Sequence, residues 1–379
     1  MKIVFQLLIL FVHTISFGQV TFQISELPKN TPANAQIYIS GNFDAWSGGK
    51  KEFELKKDSD SLYSITFAQQ TGSFEFKFTK GTWKSVEKKA NGTDIENRRY
   101  IFGENGEKIT CKIEQWADFL EKNETLVSTA NSNVHILSEN FEMPQFGRTR
   151  RIWVYLPPNY EQTKTAFPVL YMHDGQNLFD QSTSFSTEWQ VDECLDQLFE
   201  KTGFGLIVVG IDNGGNDRLA EYTPYPNPKY GGGDGKKYLD FVVHTLKPTI
   251  DKKYRTLPDK QHTALMGSSL GGLISHYGAL EYPQTFGKIG VFSPSFWFSE
   301  TIYQFCEQKS RLKDTKMYFL AGTKESESMV LDMEKMIKTM KKAGFKKKNI
   351  HKKIVVDGKH NEKFWQTELE GAIRYLFEK

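Results

Sequence analysis

A short apolar run, Thr263-Ala264-Leu265-Met266, leads without a break into Gly267-Ser268-Ser269-Leu270-Gly271-Gly272, and Leu273 to Leu280 then reads as a helix. The pentapeptide G-x-S-x-G is common by chance. Between a strand and a helix it has a specific meaning: the middle serine rides a sharp, strained turn that lifts its hydroxyl above a sheet. Small residues two places before and after it avoid clashes with the neighbouring strand and helix. The N-terminus of the following helix favours negative charge. A chain built around this feature needs a sheet whose strands end along one rim, with helices behind them. Ser269 is the candidate nucleophile, and Ser268 fills the variable position. A plain turn is the competing reading.

The flanking sequence supplies such a sheet. Arg151 to Leu156 reads as a strand ending at Pro157-Pro158. Pro168 to Met172 and Leu206 to Ile211 are short apolar runs of the kind buried on both faces, and Val191 to Lys201 between them has helical spacing. Strands then alternate with helices to the C-terminus, which predicts an α/β fold with a mostly parallel central sheet over residues 134–379. Residues 19–118 read differently. Val20 to Ile24, Gln36 to Ile39 and Ser73 to Phe78 alternate apolar and polar residues, separated by turn residues at Pro28, Asp58-Ser59-Asp60, Gly72 and Asn91-Gly92. That predicts a small all-β, Ig-like sandwich. Residues 119–133 are polar and aperiodic and read as a linker.

A serine hydroxyl needs a base. After the apolar run Lys353 to Val356 comes the loop Asp357-Gly358-Lys359-His360, so His360 is the candidate. His276 reads as packed, His173 as a residue at the sheet end able to line the pocket, and His262 and His351 as residues preceding strands at the wrong edge. An acid that orients the base belongs after the preceding strand, Lys316 to Ala321. Glu325 is preferred there, with Glu327, Asp332 and Asp357 as rivals. An oxyanion needs two backbone donors. Leu270 N–H, next after the nucleophile, is one, and Gln176 N–H, in the loop His173-Asp174-Gly175-Gln176-Asn177, is the other.

Composition narrows the partners. Forty-nine basic and 46 acidic residues leave a formal net charge of +3, which argues for neither nucleic acid nor an anionic membrane. The basic run Lys341 to Lys353 reads as the solvated face of a helix and strand start. Cys111, Cys194 and Cys306 are too few and too scattered for a disulfide framework, and no Cys/His spacing suggests zinc. No metal or organic cofactor is expected. Gly231 to Gly235 lacks the ending of a phosphate loop and reads as a mobile loop over the active-site edge. Residues 1–18 read as a signal peptide: Lys2, then apolar Ile3 to Val12, then Ser16 and Gly18 before a cut at Gln19. The expectation is a periplasmic or secreted protein with no membrane span.

Residues 134–379 resemble the α/β-hydrolase branch that includes esterase D-like enzymes, feruloyl and acetyl-xylan esterases, enterochelin esterases and mycolyltransferases. The matching residues are Tyr155 to Pro158, Leu170 to Phe179, Trp189 to Glu193, Gly210 to Asn213, Arg218, Glu221 to Pro224, Gly267 to Gly272, Phe292 to Trp297 and Gly322 to Glu325. The resemblance implies a serine esterase with a Ser269–His360–Glu325 triad acting through an acyl-enzyme. Many members carry aspartate at the Glu325 position, and some work with a Ser/His pair alone. The N-terminal region resembles family 20 starch-binding modules through Gly41 to Trp46, Phe74 to Phe78, Trp83 and Asn97-Arg98. That implies an α-glucan site in which Trp46 and Trp83 stack on sugar rings while Lys77 and Asn97 bond hydroxyls. The spacing from Trp83 to Asn97 is longer than usual, and a sandwich in which both tryptophans merely pack is the alternative. Together these readings imply an exported hydrolase of a carbohydrate acyl ester or another small-molecule ester. A siderophore-lactone esterase, an acyltransferase and a glycan-binding protein on an inactive hydrolase fold are the alternatives.

Overall fold

The computed structural model describes residues 19–44, 46–58, 63–103, 108–119, 127–184, 187–309 and 314–378. The expected signal peptide and residues 120–126 of the expected linker lie outside the described residues. The chain divides into two compact units, residues 1–125 and 126–379.

The first unit contains a four-stranded sheet and a three-stranded sheet, with a further two-stranded pair at Glu87–Lys88 and Gln115–Trp116. The period-2 alternation decides which face each strand buries. In Ser73–Thr79 the phenylalanines at 74, 76 and 78 are buried while Glu75 and Lys77 point the other way. In Gln19–Glu26 the buried residues are Val20, Phe22 and Ile24. Phe22 meets Phe76 and Tyr100 edge-on at 5.0 and 5.4 Å, so aromatic rings fill the space between the two sheets. Cys111 lies free and buried in this core.

The second unit is built on one mostly parallel sheet flanked by helices. Its strands are β1 (Val134–Met143), β2 (Arg148–Tyr155), β3 (Val169–His173), β4 (Ile207–Ile211), β5 (Thr263–Ser268), β6 (Lys288–Phe292), β7 (Lys316–Gly322) and β8 (Ile350–Val355). They form one sheet in the order β1-β2-β4-β3-β5-β6-β7-β8. The pairs β1/β2 and β2/β4 are antiparallel and the others parallel. The central strands β3 to β6 are buried along their whole length, which is why they appear in the sequence as unbroken apolar runs. Helices α2 (Gly235–Phe241), α3 (Leu270–Glu281), α4 (Thr301–Gln308) and α5 (Met329–Lys342) follow α1 (Val191–Thr202), and α6 (Glu362–Phe377) ends the chain. One core cluster gathers Tyr238, Leu273, Ile302 and Met333 from α2 to α5. The other gathers Leu195, Trp365 and Leu369 from α1 and α6. The sheet is therefore covered on both faces.

Several expectations need adjustment. The helix after the turn begins at Leu270, not Leu273, since the turn itself supplies its first residues. β8 spans Ile350–Val355, so His351 lies inside a strand instead of before one. Its ring stacks on Tyr318 at 4.8 Å, and Lys352 beside it carries no apolar signal. Val356, counted as strand, is exposed. Residues 128–133 are stitched into the second unit: Ser128 bonds Asp180, Thr129 bonds Glu188, and Asn131 and Asn133 bond Asp196. The Gly231–Gly235 segment is held, not loose, because Gly233 N–H donates to Thr223 Oγ1 at 3.0 Å and Asp234 N–H to Ala220 O at 2.9 Å. Cys194 and Cys306 are both free thiols. Among the described residues no helix is long and apolar enough to cross a membrane.

Candidate active site

Parallel pairing makes β5 and β6 end level, while β7 runs two residues further to Gly322. Ser268 sits opposite Phe292, and Phe292 opposite Leu320. The three turns that follow are thereby brought onto one rim.

On the first turn Ser269 adopts φ 60°, ψ −121°, a conformation costing a non-glycine residue about 1–3 kcal/mol, and it leads directly into α3. Its N–H donates to Phe292 O at 2.9 Å, and its carbonyl accepts from Ser295 N–H at 3.1 Å. The turn is therefore clamped to the end of β6. Ser295 Oγ stands 3.3 Å from Ser269 Oγ. The glycines explain how the turn closes. A Cβ at Gly267 would lie 2.9 Å from Gly271 C, and one at Gly272 would lie 2.7 Å from Phe292 O. At Gly271 the nearest atom would be His173 Cβ at 3.4 Å, an ordinary contact. The tight position after the serine is thus Gly272 rather than the motif glycine. Gly272→Ala is expected to cost about 1–3 kcal/mol in thermal unfolding, with Gly271→Ala markedly milder. The reverse order in a melting experiment would refute this account of the turn.

On the third turn Glu325 has a fully buried side chain. Its Oε1 accepts from Gly322 N–H at 2.5 Å and Ser293 Oγ at 2.8 Å, and its Oε2 lies 2.6 Å from His360 Nδ1. His360 arrives from the loop after β8. That loop is tied to the Glu325 turn by Lys324 N–H donating to Gly358 O at 3.0 Å. Behind His360, Asn361 caps α6 by accepting from Phe364 N–H at 3.0 Å. The His360 ring meets the Trp365 ring edge-on at 5.1 Å. Of the rivals, Glu327 and Asp357 are exposed, and Asp332 lies in α5, where its carbonyl accepts from Tyr303 OH of α4. Ser269 and Glu325 thus flank the same Phe292–Ser295 turn, and Glu325 carries His360.

The loop after β3 completes the rim. Gln176 lies in a short 3-10 turn, and Leu270 is the first residue of α3. Leading amides of helical turns have no intrahelical acceptor and remain available to an anion. The preceding Asp174 is buried in the left-handed region at φ 58°. Arg218 grips it with two bonds, 2.6 and 2.8 Å, and Asn213 Nδ2 adds a third at 2.7 Å. Burial raises the Asp174 carboxyl, but the Arg218 guanidinium and these bonds outweigh it and hold the group below its usual value. Asn213 N–H also donates to Gln176 Oε1 at 3.1 Å. This clamp had no role in the sequence reading. Asp174 and Arg218 are 44 residues apart, and no local spacing signals the pair.

Two further histidines, His173 and His276, are buried. His173 does not line a pocket: it is buried beneath the turn, with Nδ1 2.9 Å from Tyr238 OH, and burial pushes its pKa down to about 3. His276 is likewise buried, against Phe296, and pushed down to about 3. Trp297, in the 3-10 turn Phe296–Phe298 just after Ser295, is 41% exposed and meets Tyr230 edge-on at 5.9 Å. Among the described residues no cluster of three His, Cys, Asp or Glu is placed to hold a metal ion.

In the first unit, Lys77 of the expected glucan site pairs with Ser40 on one side, and Asn97 immediately precedes the strand on the other side, which begins at Arg98 opposite Phe76. Gly48 O accepts from Thr79 Oγ1 at 2.5 Å, which ties the loop carrying Trp46 to the end of the strand Ser73–Thr79. The Trp83 indole N–H donates to Trp46 O at 2.7 Å, and the two rings lie 5.9 Å apart, tilted by 42°. Both tryptophans are half-buried and Asn97 is exposed.

The sequence model of the family described as "Putative esterase" matches residues 144–376. The uncharacterized protein YbbA of Bacillus subtilis is 28% identical over 244 residues, 61% of this chain and 93% of its own length. An alpha-amylase of Niallia circulans is 37% identical over 100 residues, covering 26% of this chain and 8% of its own. An endo-1,4-beta-xylanase/feruloyl esterase of Xylanibacter ruminicola is 26% identical over 239 residues, 61% of this chain and 30% of its own. Among solved structures, the enterobactin esterase FES from Shigella flexneri has the same fold, with a TM-score of 0.54 at 13% identity over 95% of this chain and 93% of its own.

Proposed function

The chain belongs to the "Putative esterase" family and is a carboxylic-ester hydrolase, and from that premise we propose that Ser269, His360 and Glu325 are its catalytic residues. The observation that carries the proposal is the buried Glu325 carboxylate 2.6 Å from His360 Nδ1, on the rim that also bears the strained Ser269. With Nδ1–H donated to Glu325, the other ring nitrogen of His360 is free of its proton and can take one from Ser269 as the hydroxyl attacks the acyl carbon. Leu270 and Gln176 N–H groups receive the oxyanion. Collapse expels the alcohol, protonated by the imidazolium, and leaves an acyl-Ser269 ester. Water, activated by the same histidine, then releases the acid. Every step uses side chains and backbone amides of this chain.

The proposed substrate is an acyl ester of a carbohydrate, and the protein is proposed to be exported by residues 1–18. Two observations support the sugar. One is the similarity to a xylanase/feruloyl esterase, and the other is the similarity of part of the chain to an alpha-amylase. The exposed Trp297 ring, just after Ser295, offers an apolar contact that suits a planar acyl group such as feruloyl. Assay of feruloylated and acetylated sugars beside a siderophore lactone tests this choice. Turnover of the lactone alone would discard the carbohydrate reading, and transfer to an added sugar instead of water would recast the enzyme as an acyltransferase.

Trp46, Lys77, Trp83 and Asn97 are proposed to hold an α-glucan chain. Maltooligosaccharide should bind the full chain, and Trp83→Ala should weaken binding by roughly 10-fold or more, about 1.4 kcal/mol, in calorimetry. Wild-type affinity in that variant would leave both tryptophans as packing residues.

A further inference from the structure

Ser293 has no part in the chemistry above, yet it is fully buried and held at φ 44°, in the left-handed region that serine rarely adopts. It lies in the turn between Ser269 and Glu325. Its N–H donates to Leu320 O at 2.7 Å, extending the β6/β7 ladder by one residue. Its Oγ is 2.8 Å from Glu325 Oε1 and 2.8 Å from Trp365 Nε1. An indole N–H can only donate, so it occupies a lone pair of the hydroxyl. A carboxylate can only accept, so the single hydroxyl proton points at Glu325. The direction of the chain Trp365→Ser293→Glu325 is therefore forced by the groups themselves. Trp365 is also the ring that abuts His360, and it lies 5.6 Å from Trp189 on its other side.

We propose that Ser293 and Trp365 are a positioning pair for the His360–Glu325 couple: the hydroxyl holds Oε1 and draws negative charge onto it, and the indole sets both the hydroxyl and the imidazole plane. The proposal rests on the assignment of Ser269, His360 and Glu325 as catalytic. Without the hydroxyl, Gly322 N–H still anchors Oε1, so the carboxylate stays in place. More of its charge then faces His360 and favours the imidazolium. The other charged groups flanking the couple, Lys324 and Asp357 at 3.9 Å from each other and Glu362 after the His360 loop, are left unaltered.

The test is the pH profile of kcat/KM on 4-nitrophenyl acetate for three variants, with thermal unfolding as the check on folding. Ser293→Ala deletes the hydroxyl and keeps the unfavourable φ. Ser293→Gly deletes it and suits that φ, so it folds where alanine fails. Trp365→Phe keeps a ring against His360 and removes the N–H. Both Ser293 variants should lose roughly 3- to 10-fold in kcat with KM within about twofold, and their acid limb should rise by roughly 0.3–0.5 pH unit. Trp365→Phe should move the limb the same way by less. Wild-type turnover in Ser293→Gly would mean the residue only shapes the turn. A loss of kcat with the limb unmoved or lowered would likewise overturn the pair. An inactive wild type would instead remove the catalytic assignment beneath it, a distinct outcome.

Discussion

Ser269→Ala is expected to lower kcat/KM on 4-nitrophenyl acetate by roughly 10³-fold or more, while the melting temperature stays level or rises. The activity loss follows from removing the hydroxyl proposed to form the acyl-enzyme. Leu270 and Gln176 N–H groups would remain, so a small residual rate above buffer is compatible with the mechanism. The stability effect has a separate origin. Ser269 is held at φ 60°, ψ −121° by two backbone bonds to the β6 turn, and neither bond involves its side chain. Alanine keeps those bonds and sheds a hydroxyl whose recorded neighbour is Ser295 Oγ at 3.3 Å. A variant that hydrolyses the ester as fast as the wild type would move the nucleophile elsewhere, with Ser295 the first residue to test.

Glu325→Gln should lower kcat by roughly 10²- to 10⁴-fold, with much less change in KM. The substitution is nearly isosteric, so geometry alone does not explain the loss. A carboxylate accepts at both oxygens, as Glu325 does from Gly322 N–H, Ser293 Oγ and His360 Nδ1. A glutamine keeping its oxygen toward Gly322 and Ser293 turns its NH₂ toward Nδ1. The imidazole must then carry its proton on the other nitrogen, where it cannot accept from Ser269. The charge that steadies the imidazolium is lost as well. Asp357→Asn serves as the control. Its side chain is 74% exposed and lies 3.9 Å from Lys324, and the variant should retain near wild-type turnover. If the two variants exchanged these results, the orienting acid would be Asp357.

Much of the site was readable because its parts are local. The strand–turn–helix around Ser269 is one continuous segment, and its apolar run, glycines and helix pattern sit side by side. Glu325 and His360 could be placed because each follows an apolar run that ends at the same rim. The chain told less where side chains facing water or glycines with hidden constraints were concerned. β8 begins three residues before the apolar run Lys353 to Val356, because His351 and Lys352 are polar and exposed on a strand at the sheet edge. Gly272 was not distinguished from Gly271, since only the position of Phe292 O separates them.

The sequence by itself determined the class of fold and the order of its elements, and it singled out Ser269, His360 and Glu325 as candidates for nucleophile, base and acid. Periodicity and turn chemistry are short-range properties of the chain, and they are written wherever an element is written. Tertiary structure alone decided how those residues are held. Arg218 meets Asp174 across 44 residues, Ser293 meets Glu325 across 32 and Trp365 across 72. Such contacts arise from the order and register of parallel strands, where neighbours in space are separated in sequence by whole helices. No spacing along the chain records them, because the hydrogen-bond ladder that brings them together exists only after the sheet has formed.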